Sequence, residues 1–283
     1  MEWSGWLDAV ERQLHAGDDP RGHVLAGQIR DRVLHKAYLK KGDVVADLGC
    51  GKGFLTLEAA RLVGGQGRVT GIDASEEALD KARGEAVARG LSNLVFIQGD
   101  LTSLPLETGS VGVVLARSVF AYVAERRDAF REAWRILEPG GRISLFEPVV
   151  GDETYQLDWG EAEAAFQKMR LVLQLHHPAF RYSIKDLKDD LQAAGFEGLD
   201  FFVWHADTTR VYNDAREAAE DLGELLPGDL APLAYWRKYG VKDEEIEQVS
   251  ERLLSESSRP GYRNSLPCVY FWGVKAPLGG KTA

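Results

Sequence analysis

Val44-Val45-Ala46-Asp47-Leu48-Gly49-Cys50-Gly51-Lys52-Gly53-Phe54-Leu55-Thr56-Leu57 is the stretch that decides the fold. An apolar run enters a glycine-rich turn, and the turn leads into a helical pattern. Glycines 49, 51 and 53 lack a Cβ, so the backbone can take conformations other residues avoid and a ligand can approach the main chain closely. The unpaired N–H groups that open the following helix would face that ligand. The stretch therefore reads as a cofactor turn at the C-terminal end of a first parallel strand.

The spacing narrows the cofactor. A dinucleotide turn follows G-x-G-x-x-G, but here Phe54 stands where the third glycine would fall, and the frame is D-x-G-x-G-x-G. Asp47 puts a carboxylate beside the turn, which repels a pyrophosphate and attracts a cation. S-adenosylmethionine (SAM) carries a sulfonium and an ammonium. The frame resembles motif I of the class I SAM-dependent methyltransferases, which implies roles for Asp47, Gly49, Gly51 and Gly53 in holding that cofactor.

Further acids follow in register. Residues 68–73 read as a second strand ending in Gly71-Ile72-Asp73, about 20 residues past the turn, where an acid can accept hydrogen bonds from ribose hydroxyls. Asp73, with Ala74 after it, matches the family's second motif; the plainer reading is an N-cap acid for the next helix, a role that also suits Ser75. Residues 93–98 form a third strand ending in Gly99-Asp100-Leu101. By the resemblance, Asp100 takes the adenine amine and the Leu101 N–H takes the ring; the plainer reading is a turn aspartate. Residues 111–116 form a fourth strand, and Arg117 and the residues after it stand where family members approach the methyl group. Phe130, Ala133, Trp134 and Leu137 share a helical face. The Glu138-Pro139-Gly140-Gly141 turn then leads into a fifth strand, 142–148.

Strand and helix alternate from 44 to 148, and parallel strands need right-handed crossovers. The expected fold is α/β: a doubly wound, mostly parallel sheet, seven-stranded and Rossmann-like by the resemblance, with helical lid insertions. The segments are an N-terminal helical cap over 1–43, a SAM-binding core over 44–150, a lid insertion over 151–182, a core helix and strand over 183–206, a second helical insertion over 207–264, and a last strand and tail over 265–283. In the cap, Trp3, Trp6, Leu7, Val10 and Leu14 recur at helical spacing, followed by Ile29, Val33, Leu34 and Ala37. By the resemblance, 267–275 pairs with 196–205 as an antiparallel edge.

The 283 residues, 45% hydrophobic and 28% charged, have an ordinary globular composition. A net charge of −10 lacks the basic footprint of a nucleic-acid binder. Cys50 and Cys268 are too few for a disulfide framework or a cysteine-rich metal site, and no metal site is expected. No signal peptide or membrane-length apolar run is readable, so the expectation is a cytoplasmic protein without a membrane span.

The resemblance implies a methyltransferase using SAM, with S-adenosylhomocysteine as product, acting on O, N or C of a small-molecule acceptor. The alternatives keep the cofactor without the transfer: a SAM-binding cyclase, or a SAM-binding protein without catalysis. The sulfonium methyl is already activated, so a base is needed only where the acceptor must lose a proton. Glu147, His176 and His177 are the catalytic candidates, with Tyr122 and His205 behind them. Each has a structural reading too: a helix-end histidine at 176 or 177, a wall tyrosine at 122, a buried histidine at 205. The aromatic residues of the insertions suit an acceptor pocket, the core of a helical subdomain or a homodimer interface.

Overall fold

The computed structural model describes residues 20–208, 211–223 and 231–277. Trp3, Trp6, Leu7, Val10 and Leu14 lie outside the described residues. The described chain forms two compact units: a sheet unit (20–147, Lys185–Phe202 and 269–277) and a helical unit (Pro148–Ile184 and Val203–Cys268).

The sheet unit begins with α1 (Pro20–Lys36), β1 (Val44–Leu48), α2 (Thr56–Val63), β2 (Arg68–Asp73), α3 (Glu76–Ala88), β3 (Leu94–Gln98), β4 (Val111–Arg117), α4 (Arg126–Ile136) and β5 (Leu137–Pro148). Strand β1 lies between β2 and β4, parallel to both, while β3 extends the sheet past β2 and β5 extends it past β4, also in parallel. The order therefore reverses at β1. That is the switch point where a doubly wound sheet opens a crevice at its strand C-termini. Register makes the strand ends level: Asp47 is opposite Gly71, and Asp73 is opposite Gln98. Leu48, Ile72, Leu115, Ile143 and Leu145 are fully buried, each contributing about 1.5–3 kcal/mol by leaving water.

Several details depart from the sequence reading. Val87, which helical spacing groups with Ala78, Leu79, Ala82 and Ala86 on one face, is 80% exposed while those four are buried. Trp134 is half-buried, its indole N–H donating to the Gly195 carbonyl at 3.0 Å and its ring lying under Lys275. Ile136 fills the interior position instead. The Pro139-Gly140-Gly141 turn lies within β5: Leu137 pairs with Val111, the register shifts, and Arg142 resumes opposite Val113. Among the described residues the sheet has eight strands where seven were expected. The order runs β3-β2-β1-β4-β5-β8, with β7 (Phe196–Thr208), which follows α6 (Ile184–Ala194), paired to β8 (Arg263–Lys275).

The additional strand, β6 (Thr154–Gln156), belongs to the helical unit and pairs antiparallel with β8 at Arg263–Ser265. Three residues carry too little alternation to read as a strand. The unit continues with α5 (Glu163–His176), α7 (Ala215–Gly223), α8 (Pro232–Lys238) and α9 (Asp243–Ser257). The two insertions share one core: Trp159, Phe166 and Met169 from the first are buried with Trp236, Val249 and Leu253 from the second. Trp159 and Phe166 stack at 3.8 Å, and the Trp236 indole donates to the Met169 carbonyl at 3.0 Å.

Candidate functional site

The glycine turn leaves β1 with Gly49, Gly51 and Gly53 all at positive φ. Gly49 shows why no side chain is admitted. At φ +65° an added Cβ would lie 2.1 Å from Val119 Cγ2. Gly49→Ala is therefore expected to lower stability by about 2–3 kcal/mol through backbone strain and overpacking together. Chemical denaturation would measure it; an unchanged midpoint would mean that the turn tolerates a Cβ.

Asp73, at the end of β2, tethers the turn. Its Oδ2 accepts the Gly51 N–H at 2.8 Å and its Oδ1 accepts the Ser75 N–H at 2.9 Å. Cys50 N–H adds a bond to the Ile72 carbonyl at 3.0 Å. The N-cap of α3 is Ser75, whose hydroxyl accepts from Ala78 N–H at 3.2 Å. A carboxylate offers about four acceptor positions, so two bonds leave Asp73 able to accept others. The Ala74 carbonyl receives the Gln98 amide at 3.0 Å.

Asp47 is 1% exposed and receives the Thr56 hydroxyl at 2.5 Å. Burial pushes its pKa up to about 7, against the lowering effects of the Thr56 bond and the Arg117 charge. Arg117, at the end of β4, sits 4.7 Å from the centre of the Phe54 ring, and Arg30 lies 5.5 Å from it. Sequence spacing alone did not single out Arg30, and it marked Phe54 only as the residue standing in place of a third glycine. At the end of β3, Asp100 Oδ1 accepts both the N–H and the hydroxyl of Thr102 at 2.7 Å, and these bonds hold its carboxyl below the usual range. Leu101 beside it is buried. Asp47, one residue before the end of β1, Asp73, the last of β2, and Asp100, two residues past β3, thus lie at the C-terminal ends of three adjacent parallel strands.

Glu147, near the end of β5, is fully buried. It accepts N–H groups from Val119 (3.0 Å), Phe120 (3.0 Å) and Ala121 (3.2 Å), anchoring the short turn that follows β4. Burial raises its pKa to about 7 despite those bonds. Tyr122 in the same turn is pushed above its ordinary value by burial first and by Glu147 second.

The two histidine candidates belong to the helical unit and differ from each other. His177 is fully buried, its Nδ1 accepting the Ala179 N–H at 3.1 Å, with Phe180 and Tyr235 rings against it. His176 is exposed and stacks flat on Tyr239 at 3.7 Å. His205 is exposed, not buried. Among the described residues no group of three His, Cys, Asp or Glu side chains is arranged to hold a metal, and no described helix is long and apolar enough to cross a membrane.

A protein-family model described as a methyltransferase domain matches residues 39–195. The arsenite methyltransferase of Halobacterium salinarum is 30% identical over 193 residues, covering 67% of this chain and 46% of that protein. A Saccharolobus solfataricus protein described as a probable cobalt-precorrin-6B C(15)-methyltransferase (decarboxylating) is 34% identical over 147 residues, 51% of this chain and 72% of that one. The chain thus spans about half the length of the first of these relatives. Among solved structures, the YcgJ protein of Bacillus subtilis superposes with a TM-score of 0.59 at 17% identity, over 88% of this chain and 99% of that one, a likeness of fold.

Proposed function

The chain belongs to the methyltransferase domain family, and on that premise we propose that it transfers the methyl group of SAM to a small-molecule acceptor and releases S-adenosylhomocysteine. The observation that carries the reading is the row of three carboxylates, Asp47, Asp73 and Asp100, at the ends of adjacent strands beside a glycine turn. The cofactor is cationic, and this row favours a cation. In this reading Asp73 takes the ribose hydroxyls, with Ala74 lining the same edge. Asp100 takes the adenine amine, and Leu101 N–H takes the ring. Gly49, Gly51 and Gly53 admit the cofactor to the main chain. Asp47 faces the ammonium end and Arg117 the carboxylate.

Bound SAM supplies an activated methyl; the chain's task is to align the acceptor and keep water out. Glu147 and His177 each spend acceptor capacity on backbone N–H groups, so we assign them positioning roles. His176, exposed and stacked on Tyr239, is the imidazole we propose for an acceptor that must shed a proton. An arsenite acceptor does not fit. Metalloids bind thiolates, whereas both cysteines are buried and burial raises both thiols, Cys268 to about 12.

A methyl-donor assay against a metabolite panel tests the reading; turnover of SAM sustains it, and SAM bound without turnover on any acceptor sinks it in favour of a cyclase or a binding protein. A pH series adds a second test. A cation favours ionised Asp47, so SAM binding displaces its proton and affinity rises with pH through about 7. From pH 6 to 8 the expected gain is up to about tenfold, and Asp47→Asn flattens that component of the calorimetric profile. An identical slope in both proteins would remove Asp47 from the site.

A further inference from the structure

A cavity of ≈ 50 Å³ lies inside the helical unit. Tyr155, Phe166, Phe180 and Trp236 give it an aromatic wall, and Glu153, Arg170 and Gln174 are the polar residues on that wall. The donors are turned to the backbone: Arg170 Nη2 and Gln174 Nε2 each donate to the Gly151 carbonyl at 3.4 Å. The acceptors are less fully used. Glu153 receives the Tyr155 hydroxyl at 3.2 Å and a side-chain bond from Asn264, which leaves about half of a carboxylate's acceptor positions open. Asn264 Oδ1 is buried with no hydrogen-bond partner among the described residues. Asp221, which accepts the Tyr212 hydroxyl at 2.6 Å, adds a second negative charge close enough to oppose ionisation of Glu153.

Glu153 and Arg170 are the charged residues on a wall otherwise rich in aromatic rings, and Asp221, off that wall, adds a second negative charge. A buried carboxylate opposed by that second charge, with a guanidinium whose Nη2 is turned to the Gly151 carbonyl, favours an organic cation, which gains from both the charge and the ring faces. Volume limits the guest. A benzene-sized ligand needs about 150 Å³, so a cavity of ≈ 50 Å³ takes a head group and no ring. Leu222 and Trp236 of the second insertion complete a wall otherwise made by the first.

We propose that this cavity binds the ammonium head of an amine-bearing small molecule, with Glu153 as counter-ion and Tyr155, Phe166 and Trp236 as the rings around it. That the amine is the methyl acceptor rests on the methyltransferase reading; that the cavity selects a cation does not.

The test compares butylammonium with 1-butanol, equal in length and differing in charge, titrated into the full chain with S-adenosylhomocysteine present and followed by NMR. The wild-type protein is expected to bind the amine at least about 10-fold tighter than the alcohol. Glu153→Gln is expected to erase that preference, weakening the amine about 10-fold and the alcohol by less than threefold, in a protein whose NMR spectrum shows it folded. Equal binding of amine and alcohol by the wild-type protein overturns the proposal without reference to any variant. So does a preference that survives in folded Glu153→Gln. Amine selectivity in a protein that consumes no SAM would instead overturn the methyltransferase reading and leave the cation site standing. SAM turnover without amine selectivity would do the reverse.

Discussion

Replacing Asp73 by alanine is expected to weaken SAM binding roughly 100-fold or more. Two losses add. The side chain holds Gly51 N–H and Ser75 N–H at 2.8 and 2.9 Å, so the alanine variant frees the glycine turn before any cofactor arrives. It also removes the acceptor proposed for the ribose hydroxyls. A hydrogen bond to a charged group contributes about 1.5–3 kcal/mol, and two of them span the expected loss. Asp73→Asn retains one oxygen and is expected to fall between wild type and alanine. Calorimetry with SAM and with S-adenosylhomocysteine measures both. Affinity within threefold of wild type in a folded Asp73→Ala protein would end the cofactor assignment.

Glu147→Ala is expected to cost on the order of 4 kcal/mol, because three N–H groups, two buried and one part-buried, lose their partner and each unsatisfied buried donor costs about 1–3 kcal/mol. For a chain of this size that lowers the melting temperature on the order of 10 °C. Glu147→Gln separates anchor from base. An amide N–H₂ set against backbone N–H groups destabilises, so the anchor role requires a lower melting temperature in the glutamine variant as well. A glutamine variant with wild-type stability and no turnover would instead mark Glu147 as a base. The pH dependence carries a sign. Glu147 has a folded pKa raised to about 7 from 4.5, so the native state holds its proton more tightly than the unfolded chain does. Its contribution is full below about 4.5 and is lost as pH rises through about 7. Glu147→Gln should lack that decline between pH 5 and 8.

Much of the sheet unit was legible without coordinates. The alternation of apolar runs with helical faces from 44 to 148 is local, and local periodicity is what a linear sequence carries. The same holds for Asp47, Asp73 and Asp100, since strand ends in a parallel sheet fall at the ends of apolar runs. Misreadings such as Val87 and Trp134 concern which face of a helix turns inward. Neighbouring positions on a helix differ by little in angle, and packing chooses between them.

The sequence by itself determined the strand order of function: a glycine turn with an acid before it, then an acid at the end of each of the next two strands. Backbone alternation and turn chemistry are short-range, and they sufficed. Tertiary structure alone decided what those acids and the candidate bases are bonded to. Glu147 meets N–H groups from residues 26 to 28 positions earlier, and His177 is enclosed by Tyr235 from the other insertion. The core joining Trp159 and Phe166 to Trp236 and Leu253 spans the same gap. Such contacts are set by burial of surfaces far apart in the chain, and no spacing rule encodes them.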